Sequence, residues 1–253
     1  MTKRAKNCLL VEGSDDIHVV SELLNQHKLT SLRNEKDKSI NPLKLNVEIN
    51  SLSKELDIES ETGIVNILEK FESLINVDTN ELDAIGVILD FDSSNDEQSN
   101  NRNIAVETAI NAINKNNSDK NSNKWNIPNN FSILNQSGFI ANPNSNLKNV
   151  PKIGVWLMPD NQHRGMLETF LQHLVPESQQ KLLDYASAVT DKAKKNYAAS
   201  YKDCHKDKAI VHTFLSWMDE PGKPFGISFK NKSFDANSPL ALKFIEWIKE
   251  LFS

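Results

Sequence analysis

Acidic residues recur where apolar runs stop. LLVEGSDD (residues 9–16) breaks from aliphatic side chains to Glu12, with Asp15 and Asp16 close behind. AIGVILDFD (84–92) ends in Asp90 and Asp92, and IGVWLMPDN (153–161) runs into Asp160 and Asn161. Each run is short, apolar and bounded by turn-forming residues, the pattern of a buried strand. In open parallel sheets, ligands bind beyond the carboxyl ends of the strands. If these strands are neighbours, their carboxylates meet at one edge. Ionised carboxylates held together repel, and they stay charged only around a cation or with a shared proton. Carboxylate oxygens are hard ligands that suit Mg²⁺ or Mn²⁺, the usual metals of phosphate chemistry. Gly13 fits a tight strand-to-helix turn and close approach of a phosphate to the backbone. A single acid at a strand end is ordinarily a cap or a solvated turn. Asp15 and Asp16 also suit the first turn of a helix, where the macrodipole favours acids. The repetition at several strand ends is what favours a site.

Periodicity supplies the elements that must position these residues. Residues 6–11 read as a strand, followed by a helix with Ser14 as N-cap and Ile17, Val19, Val20, Leu23 and Leu24 along one face, ending near Lys28. Residues 43–49 alternate as a half-buried strand. A helix over 62–75, a strand over 84–92, a helix over 104–113 and a short strand over 131–134 follow. Residues 153–158 predict a buried strand and 166–174 a helix, and from Glu177 the pattern is mostly helical. Amphipathic segments at 211–218 and 240–252 flank the turn-rich PGKPFG (221–226). The Asn/Lys/Ser-rich stretch 114–130, with Trp125, reads as a mobile surface insertion. Alternating strands and helices predict an α/β domain spanning 1–253, with a mainly parallel sheet, helices on both faces and a helical C-terminal extension from about residue 177.

Val11-Glu12-Gly13 and Asp90-Phe91-Asp92 together resemble the signature of the Toprim fold: Glu-Gly after the first strand and Asp-x-Asp after a later one. The resemblance covers about residues 6–175 and implies a Toprim-like fold, with Glu12, Asp90 and Asp92 as the catalytic, metal-binding core. The site also resembles that of OLD-type nucleases, in which a second acid four residues after the first and a Leu-Glu on a later helix help hold a second metal. The matching residues are Asp16 and Glu168. That likeness implies Mg²⁺ or Mn²⁺ held by Glu12, Asp16, Asp90, Asp92 and Glu168, with Asp160 and Asn161 in the outer shell or against the substrate. By position alone, Gly13 suits a nearby phosphate, and His163 and Arg164, just past a strand end, suit either a phosphate contact or a solvated loop. The likeness further implies a nuclease or related phosphotransfer enzyme on DNA or RNA, serving defence or repair. MPDN…GMLE (158–168) and HTFLSWMDEPGKPFG (212–226) resemble a small stand-alone Toprim-related family of unassigned function, which extends the likeness to nearly the whole chain. OLD nucleases carry an ATPase domain, but no GxxxxGK[ST] loop occurs here. An ATPase would be a separate partner.

Composition narrows the remaining classes. The chain has 253 residues, 38% hydrophobic and 25% charged, with a net charge of -5. Global basicity is therefore no argument for nucleic-acid binding, which would need a local basic patch or bridging metal ions. No apolar run predicts a membrane span, and Glu12 interrupts the run that follows Lys3, Arg4 and Lys6 too early for a secretory leader. Cys8 and Cys204 form no disulfide framework, which predicts a reducing, cytoplasmic setting. Homo-oligomerisation stays open. KAKKNYAASYKDCHKDK (192–208) is either a backbone-tracking basic segment or a solvated helix face. His212, Trp217 and Trp247 are expected to pack inside the tail helices. Two other functional classes compete with the nuclease: a non-catalytic binding module that keeps the acids, and a small-substrate phosphohydrolase, because DFDSS (90–94) resembles a haloacid dehalogenase nucleophile loop. That loop normally follows the first strand, and here it follows a later one.

Overall fold

The structure is a computed structural model that describes residues 5–33, 41–76, 82–91, 124–126, 137–144 and 150–253. The expected helix at 104–113, the strand at 131–134 and Asp92 lie outside the described residues.

Strand β1 (Asn7–Val11) is buried along its whole length and leads into helix α1 (Ser14–Gln26). A short strand β2 (Thr30–Leu32) precedes β3 (Leu43–Ile49) and β4 (Leu52–Ser60). Helix α2 (Ile64–Asn76) leads to β5 (Ala84–Asp90), and β6 (Trp125–Asn126), β7 (Phe139–Pro143) and β8 (Lys152–Met158) complete the described strands. The remaining α-helices are α3 (Leu167–His173), α4 (Glu177–Tyr197), α5 (Lys206–Leu215), α6 (Phe225–Lys230) and α7 (Pro239–Leu251).

The strands form one sheet in the order β2-β3-β4-β1-β5-β8-β7-β6. Its centre, β4-β1-β5-β8, is parallel throughout. Its edges are antiparallel, which a mainly parallel expectation does not anticipate. The reason on one side is local. Asn50 and Ser51 both take positive φ, of 52° and 62°, and join β3 to β4 in a two-residue hairpin. Such turns match the right-handed twist of the strands they connect. Strand β4 itself was not anticipated from the sequence, and it sits directly beside β1.

Strand alternation sends side chains to two cores. Leu9, Val11, Ile88, Trp156 and Met158 face α1, α3 and the C-terminal helices, while Cys8, Leu10, Val87, Val155 and Leu157 face α2. Helices therefore cover both faces, as alternation predicts. On the first face, α7 starts at Ser238, whose side chain accepts the Ala241 N–H at 3.3 Å, with Pro239 as first helical residue. It lies close to the sheet because Gly86 and Gly154 are paired on neighbouring strands. A Cβ on either would meet Leu251 at under 3 Å, and one on Gly154 would also reach Trp247 at 3.0 Å. The Trp247 indole donates to the Phe139 carbonyl at 3.2 Å.

Trp125, placed by its neighbours' composition in a surface insertion, is buried, and its indole donates to the Pro151 carbonyl at 2.8 Å. Ser14 is not the cap of α1. Gly13 occupies that position with ordinary extended backbone, and no side chain caps the helix. The case for glycine at 13 is spatial: a Cβ there would lie 3.3 Å from an Asp16 carboxylate oxygen.

Candidate functional site

Adjacent parallel strands bring Glu12 and Asp90 to one corner. Leu10 of β1 pairs with Val87 of β5, so both chains leave the sheet at the same edge. There Glu12 Oε1 accepts the Asp90 backbone N–H at 2.7 Å. The Asp90 carboxylate in turn accepts the Leu167 N–H at 3.2 Å, which fixes the first turn of α3 against the end of β5. Glu168, the next residue, is buried.

Asp16 enters from the first turn of α1 and is also buried. Burial, then the nearby charges of Glu12 and Glu168, push its carboxyl up to about 8. Glu12, four residues before Asp16, and Glu168, far away in sequence, thus both act on it at this corner. Lys208 of α5 reaches the same place, with its ammonium 3.3 Å from Glu168 Oε1. It is steered there by the preceding residue: Asp207 accepts a hydrogen bond from the Thr169 hydroxyl on α3. Among the described residues, no three Asp, Glu, His or Cys side chains are gathered tightly enough to hold one ion. The Lys208 ammonium offsets the charge of Glu168, while burial and neighbouring charge favour the protonated form of Asp16.

Asp160 does not join this group through any contact. Its carboxylate folds back on its own loop, accepting the Gln162 and His163 N–H groups at 3.0 and 2.8 Å and meeting His163 Nδ1 at 2.6 Å. Burial alone would raise its pKa, but the hydrogen bonds from His163 and Gln162 outweigh burial and hold it below the usual value. Asn161 is buried with φ of 64°, and its side-chain oxygen accepts the Leu157 N–H at 2.7 Å. It secures the turn after β8. Arg164 is exposed, with its guanidinium 6.0 Å from the centre of the Phe91 ring. Phe91 follows Asp90, and its carbonyl accepts the Gly165 N–H. Arg164 is therefore held beside the residue that follows Asp90.

The lysine-rich stretch 192–208 divides. Lys194 pairs with Asp203 and also lies 4.8 Å from the Tyr201 ring centre, and Lys206 pairs with Asp191. These contacts tie α4 to the segment leading into α5 and to the first residue of α5. Lys208 is the member that reaches the carboxylates. Its contact partner lies far away in sequence, so the lysine run alone could not single it out.

Trp247 packs as expected, 5.6 Å from the Trp156 ring centre. His212 and Trp217 do not: both are exposed, and Trp217 stacks at 5.5 Å on the exposed ring of Tyr185. No described helix is long and apolar enough to cross a membrane.

Comparison with curated proteins finds no match. A family model described as a protein of unknown function (DUF3226) matches residues 6–253, and the chain belongs to that family.

Proposed function

We propose that the chain is a Toprim-type nuclease dependent on Mg²⁺ or Mn²⁺, or a related phosphotransfer enzyme, acting on DNA or RNA. The observation that carries this is the Glu12–Asp90 hydrogen bond between the ends of two adjacent parallel strands, with buried Asp16 and Glu168 beside it. The donor chemistry suits a hard divalent ion, since it consists of carboxylates alone, and the described side chains would have to draw together around it. Asp16 fits too, because a cation beside it would draw off the proton that burial and neighbouring charge retain. Glu12, Asp16, Asp90 and Glu168 would hold the metal, with Asp92 as the further member of the motif. When bound, such ions activate water and neutralise charge on a phosphodiester. The chain's own groups orient the site. The Asp90 N–H steadies Glu12, the Leu167 N–H steadies Asp90, and exposed Arg164 is suited to a phosphate oxygen. The separate ATPase partner rests on resemblance alone.

Plasmid DNA and RNA incubated with Mn²⁺ test the proposal. Cleavage by the wild type is expected to fall by roughly a hundredfold or more in Glu12→Ala and Asp90→Ala. Equal cleavage by both variants would remove these residues from the chemistry. A second reading, a non-catalytic binding module, draws on the Lys208–Glu168 contact, since an ammonium already compensates one acid. It predicts Mn²⁺ binding by calorimetry without cleavage of any nucleic acid.

A further inference from the structure

Next to the carboxylate corner lies a cleft of about 280 Å³. Asp15 forms its wall on the α1 side, His212, Leu215 and Ser216 on the α5 side, and Lys223 and Phe225 close it. We propose that this cleft and the adjoining Tyr185–Trp217 pair form a subsite for unpaired nucleobases, so that the substrate is single-stranded nucleic acid. The inference deepens the phosphodiesterase reading above and rests on it.

Continuity comes first. Asp15 lines the cleft and Asp16 belongs to the carboxylate corner. Lys208 and His212 are four residues apart on α5, hence on one face and about 6 Å apart along the helix axis. Lys208 touches Glu168, and His212 lines the cleft. A strand whose phosphate meets the acids would therefore place its next nucleotide in the cleft.

The lining chemistry suits that occupant. The His212 ring lies over Phe225, with centres 5.3 Å apart and planes tilted by 32°. Leu215 and Phe225 supply apolar surface, and Lys223 supplies a cation for the backbone. Asp15 is the one acid among the lining residues. Immediately past Ser216, Trp217 is 40% exposed and Tyr185 61% exposed, with ring centres 5.5 Å apart. Large aromatic rings left in solvent as a pair offer faces on which bases stack without regard to sequence. Bases inside a duplex are already stacked and cannot reach such faces, so the arrangement selects unpaired strands. The wall is also well fixed. Gly226 follows Phe225, and a Cβ there would lie 3.2 Å from the His18 carbonyl of α1, so α6 sits directly on α1.

Binding measured in EDTA separates this subsite from catalysis. Fluorescein-labelled oligothymidylate, oligouridylate and a DNA duplex of equal length are titrated against the full chain by anisotropy. The single strands are expected to bind roughly tenfold more tightly than the duplex. Trp217→Ala, and His212→Ala combined with Lys223→Ala, are each expected to weaken single-strand binding by roughly tenfold. Lys249→Ala, on the exposed face of α7, is the charge control and leaves binding unchanged. A second readout needs no variant. Trp125, Trp156 and Trp247 are buried to 1% or less, so acrylamide quenching reports Trp217, and oligothymidylate is expected to protect it. Equal affinity for duplex and single strands, indifference to the cleft and ring substitutions, unchanged quenching, or no binding at all would each overturn the proposal. Cleft-dependent single-strand binding without Mn²⁺-dependent cleavage would sink the nuclease reading and keep the subsite. Cleavage that depends on Glu12 but ignores the cleft would do the reverse.

Discussion

A buried aspartate beside two glutamates holds its proton well above the pH at which the unfolded chain loses it. Asp16 titrates at about 8 in the fold, against about 3.9 for a free aspartate. Between those values the folded chain binds a proton that the unfolded chain has released. Stability from this group is therefore greatest in acid and falls as pH rises, levelling off above the folded value. The slope is at most about 1.4 kcal/mol per pH unit. Urea unfolding in EDTA at about pH 5 and about pH 8 should show wild type losing a few kcal/mol more than Asp16→Asn over that window. Identical losses would mean that Asp16 is solvated and not pressed against its neighbours. Asp16 came to notice through the resemblance to OLD-type nucleases, which carry a second acid four residues after the first. Asp160 follows a strand, as Glu12 does, but bonds within its own loop. A Pro-Asp-Asn turn lets an aspartate satisfy the N–H groups of its own loop, and that local option won.

Elements were legible where hydrophobic period and length agreed, as in α1, α2, β5, β8 and α7. Strand β4 was missed because only Leu56, Asp57, Ile58 and Glu59 are buried, while its first half is largely exposed. Its turn chemistry, Asn50-Ser51, was the available signal. The approach of α7 to the sheet depends on a pair of glycines whose partnership exists only in the register of β5 with β8. Gly154→Ala is expected to cost about 1–3 kcal/mol by overpacking, read as a lower urea midpoint with an unchanged slope. An unchanged midpoint would show that Leu251 and Trp247 swing aside freely.

At the scale of the whole chain, the tail is no appendage. Phe244, Trp247, Ile248 and Leu251 share a core with Leu9, Ile88 and Trp156, so the last helix closes the face opened by the first strand. The amphipathic pattern of the tail was readable, but its destination was not, since periodicity reports a buried face without naming what it is buried against. Removal of residues 239–253 is expected to abolish cooperative unfolding and near-ultraviolet dichroism while leaving helical signal. A truncated chain that still unfolds cooperatively would make α7 a separable cover.

The bond from the Asp90 N–H to Glu12 carries one further meaning. A side chain here completes a rung of the ladder that the backbone of β1 no longer supplies. The proposed site and the sheet thus meet at the Asp90 N–H. Any ligand that pulls Glu12 inward also loosens the last residue of the central strand, and any ligand that leaves Glu12 in place inherits the stiffness of the sheet. The amide of Asp90 is in that sense a built-in indicator: its exchange with solvent keeps time with the excursions of one carboxylate.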